Sequence, residues 1–275
     1  MSLFESLFVE NPMLIEVKRY RRRMLGGGKG ISIAFLTLGA ICYVGLLLVV
    51  GSANGGIPAI TIVMLQTLVF TLGAPAILNN AIAGEREKRT WDLLLVAPVT
   101  KAQIMIGKFA GAMTNLLLGA ALFLLPVFIC AVSNRDTDYV ALLWAEVDSI
   151  AFAVLACAFT LLFSARCRRG FTALGVSLGM LLLGLIAYPA VVGMFGNVDS
   201  SAADVLLTFH PFYVQARLME QRFDHNSIAP SAEGQALFQI VVFLCLAIVF
   251  LVWTERTLTF SDNEVKFLPK HNARS

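Results

Sequence analysis

The chain has 275 residues, 58% of them hydrophobic and only 14% charged. A soluble domain carries about 25% charged and 45–50% apolar residues, so a water-soluble globular protein is excluded. The 21 basic and 18 acidic residues leave a net charge of +3; the basic ones cluster beside apolar runs, which assigns them to lipid headgroups and excludes a nucleic-acid partner.

From the N-terminus, residues 1–30 predict an amphipathic helix in the cytoplasmic interface. Asn11 is a good N-cap and Pro12 a good first helical residue. Met13, Val17, Tyr20 and Met24 share one face, and Lys18, Arg19, Arg22 and Arg23 spread over the rest. The chain then turns at Gly26-Gly27-Gly28 into an apolar run. Some 30 residues precede that run, longer than a signal-peptide n-region, so it is read as a retained span.

Six transmembrane helices are expected, at 31–50, 57–82, 109–132, 140–163, 171–195 and 236–253. No Lys, Arg, Asp or Glu occurs between Ile31 and Ile82, and the other spans coincide with further uncharged runs. Each run is close to or longer than the roughly 18–20 residues that cross a hydrocarbon core. Gly51 to Gly56 make an uncharged hairpin between the first two spans. Glu146 and Asp148 lie in the first turns of the fourth span, where an outer vestibule or interface position accounts for them. The outer loop 196–235 is broken at His210-Pro211, which predicts a pair of short helices dipping back towards the membrane. The fold class is therefore all-α: a connecting helix at 1–30, a transmembrane domain at 31–254 and a cytoplasmic tail at 255–275.

Basic residues retained on the cytoplasmic side set the orientation of such proteins. With both termini inside, 18 of the 21 basic residues are cytoplasmic; only Arg135, Arg217 and Arg222 are outside.

The loop 83–108 carries the densest charge. It reads Gly84-Glu85-Arg86-Glu87-Lys88-Arg89-Thr90-Trp91-Asp92, then Leu93-Leu94-Leu95, a break at Pro98, and a second helix capped by Thr100. Mixed charge is normally solvated, whereas an exposed tryptophan with three leucines must bury against lipid or another protein.

Several chemistries find no support. Gly28-Lys29-Gly30 and Gly107-Lys108-Phe109 fail the nucleotide-binding loop pattern. No histidine lies inside a span to hold haem, and no nucleophile–base arrangement is visible. His210 and His225, near Asp204 and Asp224, read as loop surface, so no metal site is expected. The five scattered cysteines read as small buried side chains. The few polar residues within spans, Gln66, Asn79, Asn80, Asn115 and Tyr188, either hydrogen-bond neighbouring helices or line a substrate path.

These residues resemble the permease subunits of type-2 ABC exporters. The resemblance rests on Asn11-Pro12 with Glu16 and Lys18-Arg19, on Gly84 to Glu87 with Thr90, Asp92, Leu93-Leu94, Pro98 and Gly107-Lys108, and on six spans with a long last outer loop. Lys88-Arg89 and Trp91 depart from the commonest pattern. The resemblance implies a non-catalytic subunit in the inner membrane that pairs with a second copy or a paralogue. A separate ATP-binding subunit, holding ATP and Mg²⁺, would dock on Glu85, Arg86, Glu87, Lys88, Arg89, Thr90, Trp91, Asp92 and Leu94. It also implies a pathway lined mainly by spans 1, 2 and 5, which makes Gln66 and Tyr188 the candidates for lining it. The competing readings are an ion-coupled carrier, which usually shows repeated halves and mid-membrane acids, and a membrane enzyme or redox anchor.

Overall fold

The computed structural model describes residues 41, 43–52, 57–88, 91, 100–134, 137–195, 201–220 and 232–260. The expected interfacial helix, with Asn11, Pro12, Glu16, Lys18 and Arg19, lies outside these residues, as do Arg89, Thr90, Asp92, Leu94 and His225. The described residues form helices joined by turns, with no strand. In chain order they are α1 (Tyr43–Ser52), α2 (Ala59–Leu78), α3 (Ala83–Glu87), α4 (Lys101–Ser133), α5 (Tyr139–Arg166), α6 (Gly170–Phe195), α7 (Ser201–Leu207), α8 (Pro211–Glu220) and α9 (Ala232–Phe260).

Five segments are long and apolar enough to cross a membrane: Ala59–Glu87, Lys101–Ser133, Tyr139–Arg166, Gly170–Met194 and Ala232–Leu258. At 1.5 Å per residue, the 28 residues of α5 extend about 42 Å, beyond a hydrocarbon core of about 30 Å. Helix ends therefore project past the apolar slab. The ends are set by local chemistry. Thr100 starts α4 with a reciprocal cap, accepting from Gln103 N–H at 3.3 Å while Gln103 Oε1 accepts from Thr100 N–H at 2.9 Å. The helix begins at Lys101, eight residues before the expected start of that span, because the amphipathic segment after Pro98 is continuous with the apolar run. Asp138 Oδ1 caps α5 through the N–H groups of Val140 and Ala141. Pro211 opens α8 at the position where a missing N–H costs least. The expected break at His210-Pro211 between two short helices is present.

Helix α5 is the central post. Two thirds of its apolar window is buried (67%), against 11% for α6. It packs along α9 and α2 and also touches α4, α6 and α8. Its buried face is built from small residues, including Ala145, Ala153, Ala156, Cys157 and Ala165. These let neighbouring backbones approach closely where no hydrophobic effect drives association. Phe152–Phe243 and Phe159–Phe250 stack edge-to-face at 5.5 and 5.4 Å, an equal offset that makes α5 and α9 parallel and fixes their register.

The buried apolar packing falls into three clusters. The smallest joins Phe152 and Ala151 of α5 to Leu185 of α6 and to Ile240 and Phe243 of α9, while the other two lie towards opposite ends of the bundle. One, at the charged-loop end, gathers Phe70, Leu78, Ile82, Trp91, Ile104, Leu116 and Leu161. The other, at the opposite end, gathers Val63, Val127, Ala141, Leu142, Val214 and Leu218. Along α2 the change from one to the other comes between Val63 and Phe70, and along α5 between Ala145 and Ala153. Those are the stretches that carry Gln66, Thr67, Asp148 and Ser149.

Candidate functional site

At the charged-loop end, α2 stops at Leu78 and the chain turns through 79–82 before α3 begins. The turn is held by one side chain of α5. Ser164 donates its hydroxyl to Asn79 C=O at 2.9 Å and accepts from the N–H groups of Ile82 at 3.0 Å and Ala83 at 3.2 Å. Lys108 of α4 donates to Ala81 C=O and also pairs with Glu85. Arg86 donates to the carbonyl of Ala165 near the end of α5, its guanidinium 5.5 Å from the Trp91 ring centre. Glu87 accepts from the first N–H of α6, at Gly170, at 3.3 Å; a carboxylate is favoured at that end of a helix dipole. The Asn80 side chain lies against Gly170, where a Cβ would stand 1.7 Å from Asn80 Oδ1, so a larger residue there would have to push the Asn80 amide aside.

Three consecutive charged residues thus brace α3 against three different spans. Glu85 reaches α4, Arg86 reaches α5 and Glu87 reaches α6. The sequence reading leaves Glu85, Arg86 and Trp91 on a docking surface; the structure turns all three inward. Trp91 is 4% exposed and packs with Ile104, Met105 and Leu161. Its apolar bulk is covered by this chain itself, because α4 runs back along α2 and closes over the loop. Glu87 and Lys88 remain exposed.

The middle of the bundle holds a polar network. Gln66 Nε2 donates to Glu146 Oε2 at 2.9 Å and lies 3.4 Å from Ser149 Oγ. The Thr67 and Ser149 hydroxyls share a hydrogen bond at 2.9 Å. Gln215 of α8 donates to Thr67 Oγ1 at 3.0 Å and to Asp148 Oδ2 at 3.3 Å. Gln66, Thr67, Asp148, Ser149 and Gln215 are fully buried. Asp148 therefore does not face an outer vestibule: amphipathic α8 lies over α2 and α5 there and encloses it. Gln66 and Tyr188, both expected along a pathway, are not brought together. Gln66 lies inside the α2–α5–α8 contact. Tyr188 donates to Leu206 C=O at 2.6 Å and lines an apolar groove of about 340 Å³ with Phe152, Leu185, Phe209, His210 and Phe243.

His210 is likewise buried rather than on a loop surface, its Nε2 3.0 Å from Leu185 C=O. Only the tautomer protonated at Nε2 can donate to that carbonyl. Burial lowers its pKa below the ordinary histidine value, partly offset by the bond to Leu185. Among the described residues no cluster of three or more His, Cys, Asp or Glu is placed to hold a metal.

Sequence reasoning missed Ser164 and Gln215. Nothing local marks Ser164, whose partners stand some 80 positions away. Gln215 carried a signal, sitting between Val214 and Leu218 on the face of α8 that later proves buried.

Together these features define a polytopic α-helical membrane protein whose densest charge is braced onto its spans. The chain belongs to the ABC-2 family of transporter proteins, whose family profile matches residues 57–263. It is therefore a multi-pass ABC transporter permease. Curated protein sequences offer no match to it.

Two outcomes follow. Trp91→Ala should destabilise the isolated full chain by about 3–5 kcal/mol, the usual cost of emptying a buried aromatic site. Thermal unfolding in detergent measures it; a tryptophan that served only a partner would leave the isolated chain unchanged. For His210, the unfolded chain takes up a proton at the ordinary histidine pKa while the folded chain resists until lower pH. Stability should fall as pH drops through and below that value, and His210→Gln should flatten the profile of thermal midpoint against pH.

Proposed function

We propose that this permease is the membrane half of an exporter powered by a separate ABC ATP-binding subunit that docks on the 83–108 loop. The observation that carries this reading is the bracing of Glu85, Arg86 and Glu87 onto α4, α5 and α6 within a chain of the ABC-2 family. A helix tied to three spans is suited to receive force, because displacing it displaces all three together. Exposed Glu87 and Lys88 are the charges available to a partner, with Arg89, Thr90, Asp92 and Leu94 beside them in sequence. ATP and Mg²⁺ belong to the partner, and this chain itself is not an enzyme.

In this reading the chain crosses the cytoplasmic (inner) membrane six times, with both termini inside. The residues around Asn11, Pro12, Glu16, Lys18 and Arg19 lie as a helix in the lipid interface, and α7 and α8 re-enter the membrane from outside. A second copy or a paralogue completes the pathway. Largely uncovered α6 favours such an apolar neighbour. The groove beside Tyr188 suits an apolar or amphipathic cargo, whereas buried Gln66 serves the polar network rather than an open pathway. Fully buried Asp148 with half-buried Glu146 favours a second reading, an ion-coupled carrier; transport driven by an imposed ion gradient without ATP would select it.

Exchanging the exposed charges, Glu87→Lys with Lys88→Glu, should weaken assembly with the co-purifying ATP-binding subunit at least about tenfold, the equivalent of about 1.4 kcal/mol. Helical content and membrane insertion should be retained. Unchanged assembly and unchanged transport-linked ATP hydrolysis would contradict the docking assignment.

A further inference from the structure

The polar network in the middle of the bundle has a chemical imbalance that transport by a motor protein does not require. Glu146 and Asp148 stand two residues apart on α5, about 3 Å along the axis and about 200° around it. They therefore face different neighbours and are joined through the glutamine and hydroxyl network rather than to each other. Asp148 lies about 14 Å along the axis from the first residue of α5 at 1.5 Å per residue. Their hydrogen-bond donors are amide N–H groups, from Gln66 and Gln215. Among the described residues neither carboxyl meets a Lys, Arg or His in a hydrogen bond or ion pair. Three buried oxygens then remain without a donor: Gln66 Oε1, Glu146 Oε1 and Asp148 Oδ1. All three are acceptors. By the register of the Phe152–Phe243 and Phe159–Phe250 pairs, Gln239 of α9 stands level with Asp148, fully buried and with both amide atoms unpartnered.

The neighbouring elements supply no compensating charge. No Lys, Arg, Asp or Glu occurs in 31–82 of the α2 side, 109–134 of α4 or 170–198 of α6. On α8, Arg217 is two residues from Gln215, about 200° around the helix and so on its other side. His210 is engaged with Leu185, and Glu233 at the start of α9 is exposed. An uncompensated carboxylate enclosed in a low-dielectric interior is strongly disfavoured, and a second carboxylate joined to the same network adds to that. Water-filled surroundings would relieve that cost, but α8 covers the network. Protons relieve it directly.

The geometry points to a proton-binding site formed by Glu146 and Asp148 with Gln66 and Gln215. A proton delivered by water adds to a carboxylate lone pair, giving a neutral acid whose O–H donates to one of the orphaned oxygens. No bond other than this O–H is made or broken, and release returns the proton to water. Because Gln215 ties α8 to both Thr67 and Asp148, the protonated site goes with α8 seated on the bundle. Loss of the proton leaves a buried anion that favours lifting α8 and admitting water. The site thereby links external pH to the position of α8.

The test uses the full chain in lipid nanodiscs, without an ATPase, so its failure leaves the permease reading standing. Infrared spectroscopy at neutral pH should show the carbonyl stretch of a protonated carboxylic acid, shifted in D₂O and lost in the double variant Glu146→Gln with Asp148→Asn. Asp148→Asn, a neutral isostere of the protonated acid, should keep the wild-type thermal midpoint at neutral pH and resist the loss of midpoint that wild type shows in alkali. A spectrum without that band at neutral pH, together with a lowered midpoint in Asp148→Asn, overturns the proposal. Stabilisation of wild type by Na⁺ over choline that disappears in Asp148→Asn also overturns it, in favour of a metal cation.

Discussion

A break in a helix within a hydrocarbon slab strands amide and carbonyl groups that no water can reach, each costing several kcal/mol if left unpaired. The turn between α2 and α3 is such a break, and Ser164 resolves most of it with one hydroxyl. It serves Asn79 C=O and the N–H groups of Ile82 and Ala83, while Lys108 takes Ala81 C=O. Both partners come from spans other than α2. The chain can leave the membrane and start α3 only where α4 and α5 are already packed against it. The position of the charged loop is therefore a property of the whole bundle.

That dependence gives the loop its mechanical character. Glu85, Arg86 and Glu87 follow one another in five-residue α3, yet each is fastened to a different span. A helix this short has little stability of its own; its shape comes from these attachments and from Trp91 beneath it. At the other end of α5 the rule is obeyed less completely, since Asp148 is enclosed with amide partners only. The central helix thus carries, near one end, a joint in which a serine hydroxyl pairs the backbone groups of the turn and, nearer the other, a buried carboxyl whose hydrogen-bond donor is an amide.

Much of the architecture was legible from hydropathy, because membrane insertion is decided by a one-dimensional property of the chain. Every long apolar run from Ile57 onward appears as a helix, the Thr100 cap and the His210-Pro211 break are where local chemistry put them, and residues 57–263 carry the family match. What was not legible depends on which face of each helix meets which neighbour. Trp91 looked exposed because its cover, Ile104 and Met105, comes from a helix that folds back over it. Asp148 looked like a vestibule residue because α8 was not known to lie across it. Glu85 reads as a free acid until Lys108, 23 positions later, is found beside it. Pairings of this kind leave no periodic trace in a single sequence.

The proposed transmission of force from the charged loop to the spans is most directly measured at the Glu85–Lys108 pair. A double-mutant cycle with Glu85→Gln and Lys108→Met would read transport per ATP hydrolysed in the assembled transporter, alongside assembly itself. Glu85→Gln should lose coupling, and the double variant should lose no more than Lys108→Met alone, with assembly retained, because Glu85 acts through Lys108 while Lys108 also holds Ala81 C=O. Coupling that is unaffected, or losses that simply add, would contradict this account.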